Sequence, residues 1–227
     1  MPLTVTAIVP VLDESGRIAA CVDHLVGLGL PVVVVDGGST DATLAIAAER
    51  GATVVRASRG RASQMNAGAA GVRTDVLWFL HADVRPEYDA IEAIRASLAD
   101  PTVVAGAFHT RTMDDGSERG AAWMRMADLR QGYTRLPYGD QGLFVRREVF
   151  VRTGGFDESL RLFEDVELAR RLWREGRLVV TDPPLRVSAR RFRARPVRSL
   201  IAMNLFPLAF RAGVPTEALE RIYGAPR

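Results

Sequence analysis

The sequence predicts an α/β fold with a mostly parallel central sheet flanked by helices. Three observations carry that expectation. Short β-branched runs alternate with segments of helical apolar spacing through the first half of the chain. The runs are continuously apolar rather than alternating, as in strands covered on both faces. Each run is followed by a polar stretch containing Gly, Asp or Arg. Strand, helix, strand at this spacing implies right-handed crossovers and parallel pairing.

Taken in order, Val5–Val9 reads as the first strand, and 17–27 as a helix with Ile18, Cys21, Val22 and Leu25 on one face. Pro31–Val35 is a β-branched run that ends at Asp36. Thr43–Arg50 is a helix stopped by Gly51, with Asp41 its expected cap, and Thr53–Val55 is the third strand. Ser63–Ala70 reads as a short helix and Val76–Leu80 as a strand. Pro86–Leu98 is a helix opened by proline, and Val103–His109 is a fifth strand. Asp114-Asp115-Gly116 is a turn signal, 120–130 is helical, and Gly142–Val145 is strand-like. Glu164–Glu175 is a strong helix closed by Gly176, with Val166, Leu168, Ala169, Leu172 and Trp173 expected on its inner side. Leu178–Thr181 is a last strand, followed by an arginine segment and two final helices.

Composition fits one domain of 227 residues: 48% hydrophobic, 25% charged, 20 Gly and 12 Pro. The single cysteine, Cys21, excludes an internal disulfide framework and a Cys-based zinc cluster and points to the reducing cytosol. All 30 basic residues are arginine, which removes Schiff-base and P-loop lysine chemistry. A net charge of +3 does not signal a nucleic-acid binder. The basic residues are unevenly placed, however: Arg186, Arg190, Arg191, Arg193, Arg195 and Arg198 run together without an acid among them. A strand-like run begins near Thr4, so no signal peptide is expected, and the uncharged stretch 199–210 falls short of the ~20 residues of a spanning helix.

In sheets of this kind ligands bind beyond the carboxyl ends of the strands. The stretches there are Pro10-Val11-Leu12-Asp13-Glu14, Asp36-Gly37-Gly38-Ser39-Thr40-Asp41, Arg59-Gly60-Arg61 and His81-Ala82-Asp83. Turns are commonly made of such residues, but their repetition along one edge reads as a binding cleft.

This ordered set, with Gly154-Gly155-Phe156-Asp157-Glu158 and Phe163-Glu164-Asp165, resembles the family 2 glycosyltransferases of GT-A fold. The stretches Gly60-Arg61-Ala62, Gln64-Met65-Asn66-Ala67-Gly68, Phe79-Leu80-His81-Ala82-Asp83 and Tyr138-Gly139-Asp140-Gln141-Gly142 resemble, more narrowly, a small bacterial subgroup associated with arsenosugar biosynthesis and a radical-SAM gene neighbourhood. The resemblance spans about residues 4–192. It implies a single glycosyltransferase domain over 1–227, with a nucleotide-binding half over about 1–110, an acceptor and catalytic half over about 111–192, and a C-terminal helical segment over 193–227. The implied activity is inverting transfer of a sugar from a nucleotide-diphosphate sugar, a UDP-sugar, to a hydroxyl acceptor, small molecule or lipid, with Mg²⁺ or Mn²⁺.

By the same resemblance Pro10, Leu12 and Glu14 wall the base and ribose pocket. Asp36 can accept from the imide N–H of a uracil-type base or cap the following helix. Arg61 can pair a diphosphate through its guanidinium fork or lie in solvent. Asp83 is the metal-holding carboxylate of an Asp-x-Asp triplet whose first position is here His81. His81 is either a second ligand or a satisfied core histidine. Glu164 and Asp165 open a helix, where acids complement the dipole; the resemblance makes Asp165 the base that takes the acceptor's proton and sets Glu164 beside sugar or acceptor. Asp140 and Gln141 would bind donor sugar or acceptor hydroxyls, or serve a turn. Arg190 and Arg191 would clamp the diphosphate, face water or touch anionic lipid. Leu200, Met203, Leu205, Phe206 and Phe210 offer an apolar face for core, dimer contact or peripheral membrane contact at the inner membrane face. Two rivals are weaker. A sugar-phosphate nucleotidyltransferase needs a basic Gly-rich loop after the first strand, where this chain is acidic. A non-enzymatic arginine-rich adaptor leaves the strand-end acids without a purpose.

Overall fold

In the computed structural model, residues 1–113, 141–188 and 214 are described. The elements run β1 (Val5–Val11), α1 (Ser15–Gly27), β2 (Val32–Asp36), α2 (Thr43–Glu49), β3 (Thr53–Arg56), α3 (Arg61–Ala70), β4 (Val76–Phe79), β5 (Val84–Arg85), α4 (Ala90–Ser97), β6 (Val103–Met113), β7 (Phe144–Arg146), α5 (Arg147–Arg152), α6 (Glu164–Glu175) and β8 (Arg177–Ser188). The strands form one sheet in the order β3-β2-β1-β4-β7-β6-β8-β5. β3, β2, β1 and β4 are mutually parallel, as are β6 and β8. β7 runs against both β4 and β6, and β5 runs against β8.

The sheet is therefore mixed: β3, β2, β1 and β4 form the parallel block that the sequence predicts, and β6 with β8 forms a second parallel pair beyond β7. The reversal at β7 matters for the site. Being antiparallel, β7 starts where β4 ends, so residues 141–143 lie at the carboxyl edge of the parallel strands. Phe79 N–H donates to the Leu143 carbonyl at 2.8 Å and Trp78 Nε1–H to the Gly142 carbonyl at 3.0 Å.

Strand alternation divides the core between the two faces. Val5, Ala7 and Val9 of β1 and Val76 and Trp78 of β4 join Ile18, Val22 and Leu25 of α1 and Ile94 of α4 on one face. Ile8, Leu77 and Phe79 face the other way, onto Met65 of α3, Phe150 of α5, and Leu168 and Leu172 of α6. Phe79, Phe150 and Phe156 pack ring against ring with centroids 5.0–5.6 Å apart.

Several boundaries differ from expectation. Arg61, expected in a loop, is the first residue of α3. α4 starts at Ala90 rather than at Pro86, because Val84-Arg85 pairs as β5 with Val187 and Arg186, and the Pro86 carbonyl accepts from His24 Nε2–H at 2.7 Å. The last strand extends through Ser188, so Arg186 lies within it and meets Glu87 at 2.5 Å. Trp173 points outward, half exposed, while Val166, Leu168, Ala169 and Leu172 are buried as expected. The expected helix at 120–130 and the two final helices lie outside the described residues, as do Asp140, Arg190 and Arg191.

Candidate active site

The first two strand-end loops are laced together by short polar side chains. Asp36 is 2% exposed; its Oδ1 accepts from Ser39 N–H and its Oδ2 from Gly38 and Ser39 N–H, all at 3.1 Å. The carboxylate thus closes its own loop, with lone-pair capacity left on Oδ1. Asp13, at φ 51°, accepts from Thr40 N–H at 2.8 Å, and its own N–H reaches Ser39 Oγ at 2.9 Å. Asp41 accepts from Thr43 N–H at 3.0 Å and Ser15 N–H at 3.1 Å, so it ties two helix starts rather than one. The Thr43 hydroxyl, which also donates to it, and these bonds pull its carboxyl well below the usual range. Glu14 pairs with Arg17 at 3.0 Å, and its N–H meets Thr43 Oγ1 at 2.8 Å. Pro10 and Leu12 are half-buried beside them.

α3 supplies two ties that sequence reasoning left without a role. Gln64, buried, donates from Nε2 to the carbonyls of Val11 and Val35 at 2.9 and 2.8 Å, joining the ends of β1 and β2. Asn66 makes a reciprocal pair with the Phe156 backbone: Nδ2–H to the carbonyl and Phe156 N–H to Oδ1, both 2.9 Å. It also reaches Glu158 at 2.9 Å. The approach is so close that a Cβ on Gly155, which sits at φ +71°, would lie 2.6 Å from Asn66 Oδ1. Both ties follow a Gly-Arg-Ala start in the stretch 60–68, but their partners lie far off in sequence.

That hook sends the 153–163 stretch toward the carboxyl edge of the sheet, where α6 begins. Phe163 turns the chain at φ +64°, an uncommon conformation for a side chain of this bulk. The first turn of α6 then carries Glu164, Asp165 and Glu167, a favourable placement against the helix dipole. Arg171 holds the base of this turn, pairing with Glu167 at 2.6 Å and donating to the Gly155 carbonyl at 2.6 Å.

The result is a narrow cleft lined by Pro10, Arg61, Met65, Phe79, Leu80, His81, Leu143, Phe156 and Asp165. Residues from β1, α3, β4, the start of β7 and the start of α6 meet there. Its enclosed volume of about 10 Å³ is the space of about one water. Within it Arg61 Nη2 is 2.9 Å from His81 Nε2, and Arg61 Nε is 3.1 Å from Glu164 Oε1. A guanidinium has no acceptor, so His81 Nε2 accepts and the ring proton is assigned to Nδ1. His81 Nε2 thus meets Arg61 in this arrangement.

Glu164 is 2% exposed, and its burial pushes the carboxyl above the usual range against the pull of Arg61. Gln141 is also buried and donates to the Phe108 carbonyl at 3.3 Å. Glu164 and Gln141, expected at the sugar or acceptor, are thus buried and are not among the residues lining the cleft. Asp83 stands directly before β5, four residues past the end of β4, and is not among the residues lining the cleft; its carbonyl accepts from Ser188 N–H at 3.3 Å. Its negative charge, after desolvation, helps push the buried Cys21 thiol up to about 12, so that cysteine is inert.

Comparison with known proteins places this geometry. The pre-mycofactocin glycosyltransferase of Mycobacterium tuberculosis (strain ATCC 25618 / H37Rv) is 29% identical over 194 residues, covering 79% of this chain and 41% of that protein. The succinoglycan biosynthesis protein ExoA of Rhizobium meliloti (strain 1021) is 27% identical over 201 residues, covering 77% of this chain and 60% of that protein. The chain thus spans about half the length of these relatives. Among solved structures, the mannosyltransferase PcManGT from Pyrobaculum calidifontis, in complex with GDP-Man and Mn²⁺, superposes with a TM-score of 0.68 at 22% identity, over 93% of this chain and 65% of that one. Glucosyl-3-phosphoglycerate synthase from Mycobacterium tuberculosis superposes with a TM-score of 0.60 at 20% identity, over 99% and 81%. The fold is therefore the GT-A-like glycosyltransferase fold, a mixed, mostly parallel sheet flanked by helices. Residues 6–156 match the model of glycosyl transferase family 2, and the chain belongs to that family.

Proposed function

We propose that the chain is an inverting glycosyltransferase that moves a sugar from a nucleotide-diphosphate sugar, a UDP-sugar, to a hydroxyl acceptor. One observation carries the reading: Asp165 at the start of α6 shares a cleft with Arg61 and His81 from the carboxyl edge of the sheet. A proton acceptor and a cation thus line one space. The solved relatives in complex with UDP, UDP-GlcNAc or GDP-Man support a nucleotide donor. In this reading residues 1–110 serve the nucleotide and 111–192 the acceptor.

Asp165 takes the proton of the acceptor hydroxyl as its oxygen attacks the anomeric carbon. The bond from that carbon to the diphosphate oxygen breaks on the opposite face, and its electron pair leaves with the nucleoside diphosphate. Configuration therefore inverts. Arg61 meets the charge that develops on the leaving diphosphate. Pro10, Leu12, Glu14 and Asp36 border the base and ribose, and Arg190 and Arg191 would add charge to the diphosphate.

A divalent cation, Mg²⁺ or Mn²⁺, would neutralise the diphosphate when bound with the donor, and Asp83 would hold it. Among the described residues no three His, Cys, Asp or Glu converge into a metal cage. A single part-exposed carboxylate suits an ion that draws most of its oxygens from phosphates and water. No helix among the described residues is long and apolar enough to cross a membrane.

The test is a binding screen of UDP-, GDP- and dTDP-sugars with and without Mn²⁺. A UDP-sugar should bind, with metal-dependent affinity that Asp83→Ala abolishes. Metal-independent binding equal in Asp83→Ala would remove Asp83 from the role.

A further inference from the structure

We propose that Glu164 is a positioning residue for the donor: it acts through Arg61, setting the guanidinium that the diphosphate meets, and touches no substrate itself. The inference rests on the reading of the cleft as a nucleotide-sugar site.

An arginine at the first position of a helix ordinarily samples many rotamers, because its stem has several free torsions. Here the head group is held at two points. Nε lies 3.1 Å from Glu164 Oε1, and Nη2 lies 2.9 Å from His81 Nε2. Two contacts at different nitrogens of a planar fork restrict where the head group lies. The Nε contact is an ion pair rather than a hydrogen bond, so charge is what holds that end.

Glu164 is suited to this and to little else. Its side chain is 3% exposed, against 23% for Arg61. A buried carboxylate beside another acid, Asp165, is costly unless a cation answers it. The site therefore carries a dry charge pair whose outer member reaches the cleft and whose inner member does not. Glu164 and Asp165 are adjacent in the chain, so the contact also sets the spacing between the phosphate-side cation and the proton acceptor. His81, at the first position of His81-Ala82-Asp83, completes the device by offering a neutral acceptor where a second carboxylate would compete with Glu164 for the guanidinium.

The experiment is a double-mutant cycle on the full chain. Binding of UDP and of GDP is measured by calorimetry, and donor KM and kcat by nucleoside diphosphate release, for wild type, Glu164→Gln, Arg61→Ala and the double variant. Glu164→Gln should raise the nucleoside diphosphate Kd and the donor KM by about tenfold with a smaller change in kcat, an effect of about 1.4 kcal/mol. The double variant should bind no more weakly than Arg61→Ala alone, because Glu164 has no route except Arg61. Wild-type affinity in Glu164→Gln, or losses that multiply in the double variant, would overturn the inference while leaving the donor site standing. Should wild type itself bind neither nucleotide, the site reading falls and the positioning role with it. Arg61→Lys covers the case in which Glu164→Gln does not fold. It keeps a charge beside Glu164 but lacks the fork, so it should lose affinity like Arg61→Ala at near wild-type Tm. Retained affinity in that variant would mark the pair as merely structural.

Discussion

Glu164 and Asp165 are consecutive residues in opposite surroundings. Glu164 is buried against Arg61, and Asp165 lines the cleft itself. The sequence shows two acids at a helix start and nothing that separates their roles; only the side-chain environment does. Asp36 teaches a related lesson. A strand-ending aspartate before Gly-Gly is visible locally, but its bonds to Gly38 and Ser39 N–H show that much of its capacity closes the loop it stands in. Gly68 makes a sharp residue-scale prediction. A Cβ there would lie 2.6 Å from both Ile8 Cγ2 and Val35 Cγ2, so Gly68→Ala overpacks the contact between α3 and the sheet. It should cost roughly 1–3 kcal/mol, read as a lower urea midpoint at unchanged m.

At the level of elements, the start of α6 is placed by α3 through Asn66. Strands β1 to β4 and helix α6 were legible because each is set by its own apolar spacing and terminators. The hook between Asn66 and Phe156 was not, since its partners are 90 residues apart and neither belongs to a periodic pattern. The same holds for β5, a two-residue strand defined by pairing with β8; no local signal distinguishes it from the start of a Pro-led helix. Trp173 fits the helical apolar spacing of α6 yet sits at its outer margin, where spacing alone does not decide burial. Asn66→Ala leaves the Phe156 backbone groups without their partner and should cost about 1–3 kcal/mol. Because Asp165 rides on the chain this hook directs, the variant should also lose turnover at saturating donor more than it loses donor affinity. Loss of stability with full kcat would show that Asn66 anchors the loop without placing the acid.

For the molecule as a whole, parallel pairing in the first half was readable, while the reversal at β7 was not, since strand direction is fixed by non-local partners. That reversal returns residues 141–143 to the carboxyl edge and gives the cleft its far wall. Stability should follow the carboxylates that tie distant segments. Asp75, which accepts from Thr4 N–H at 2.8 Å and Thr4 Oγ1 at 2.7 Å, is held below the usual range by those bonds, and Asp157 likewise by Ser159. Between their folded and ordinary pKa values the unfolded chain binds more protons than the folded one, so stability falls as pH falls through that range. Glu164, pushed up, works in the opposite sense and loses stability as pH rises above the ordinary carboxylate range. Urea midpoints should therefore drop from pH 5 to pH 3, and Asp75→Asn should shrink the drop; an undiminished drop would take Asp75 out of the account. The central claim, that Asp165 is the base in a cleft that binds the donor, is met most directly by Asp165→Asn assayed with the UDP-sugar selected by the binding screen. The account predicts wild-type donor affinity with transfer slowed by about 10²–10⁴-fold; transfer at the wild-type rate would contradict it.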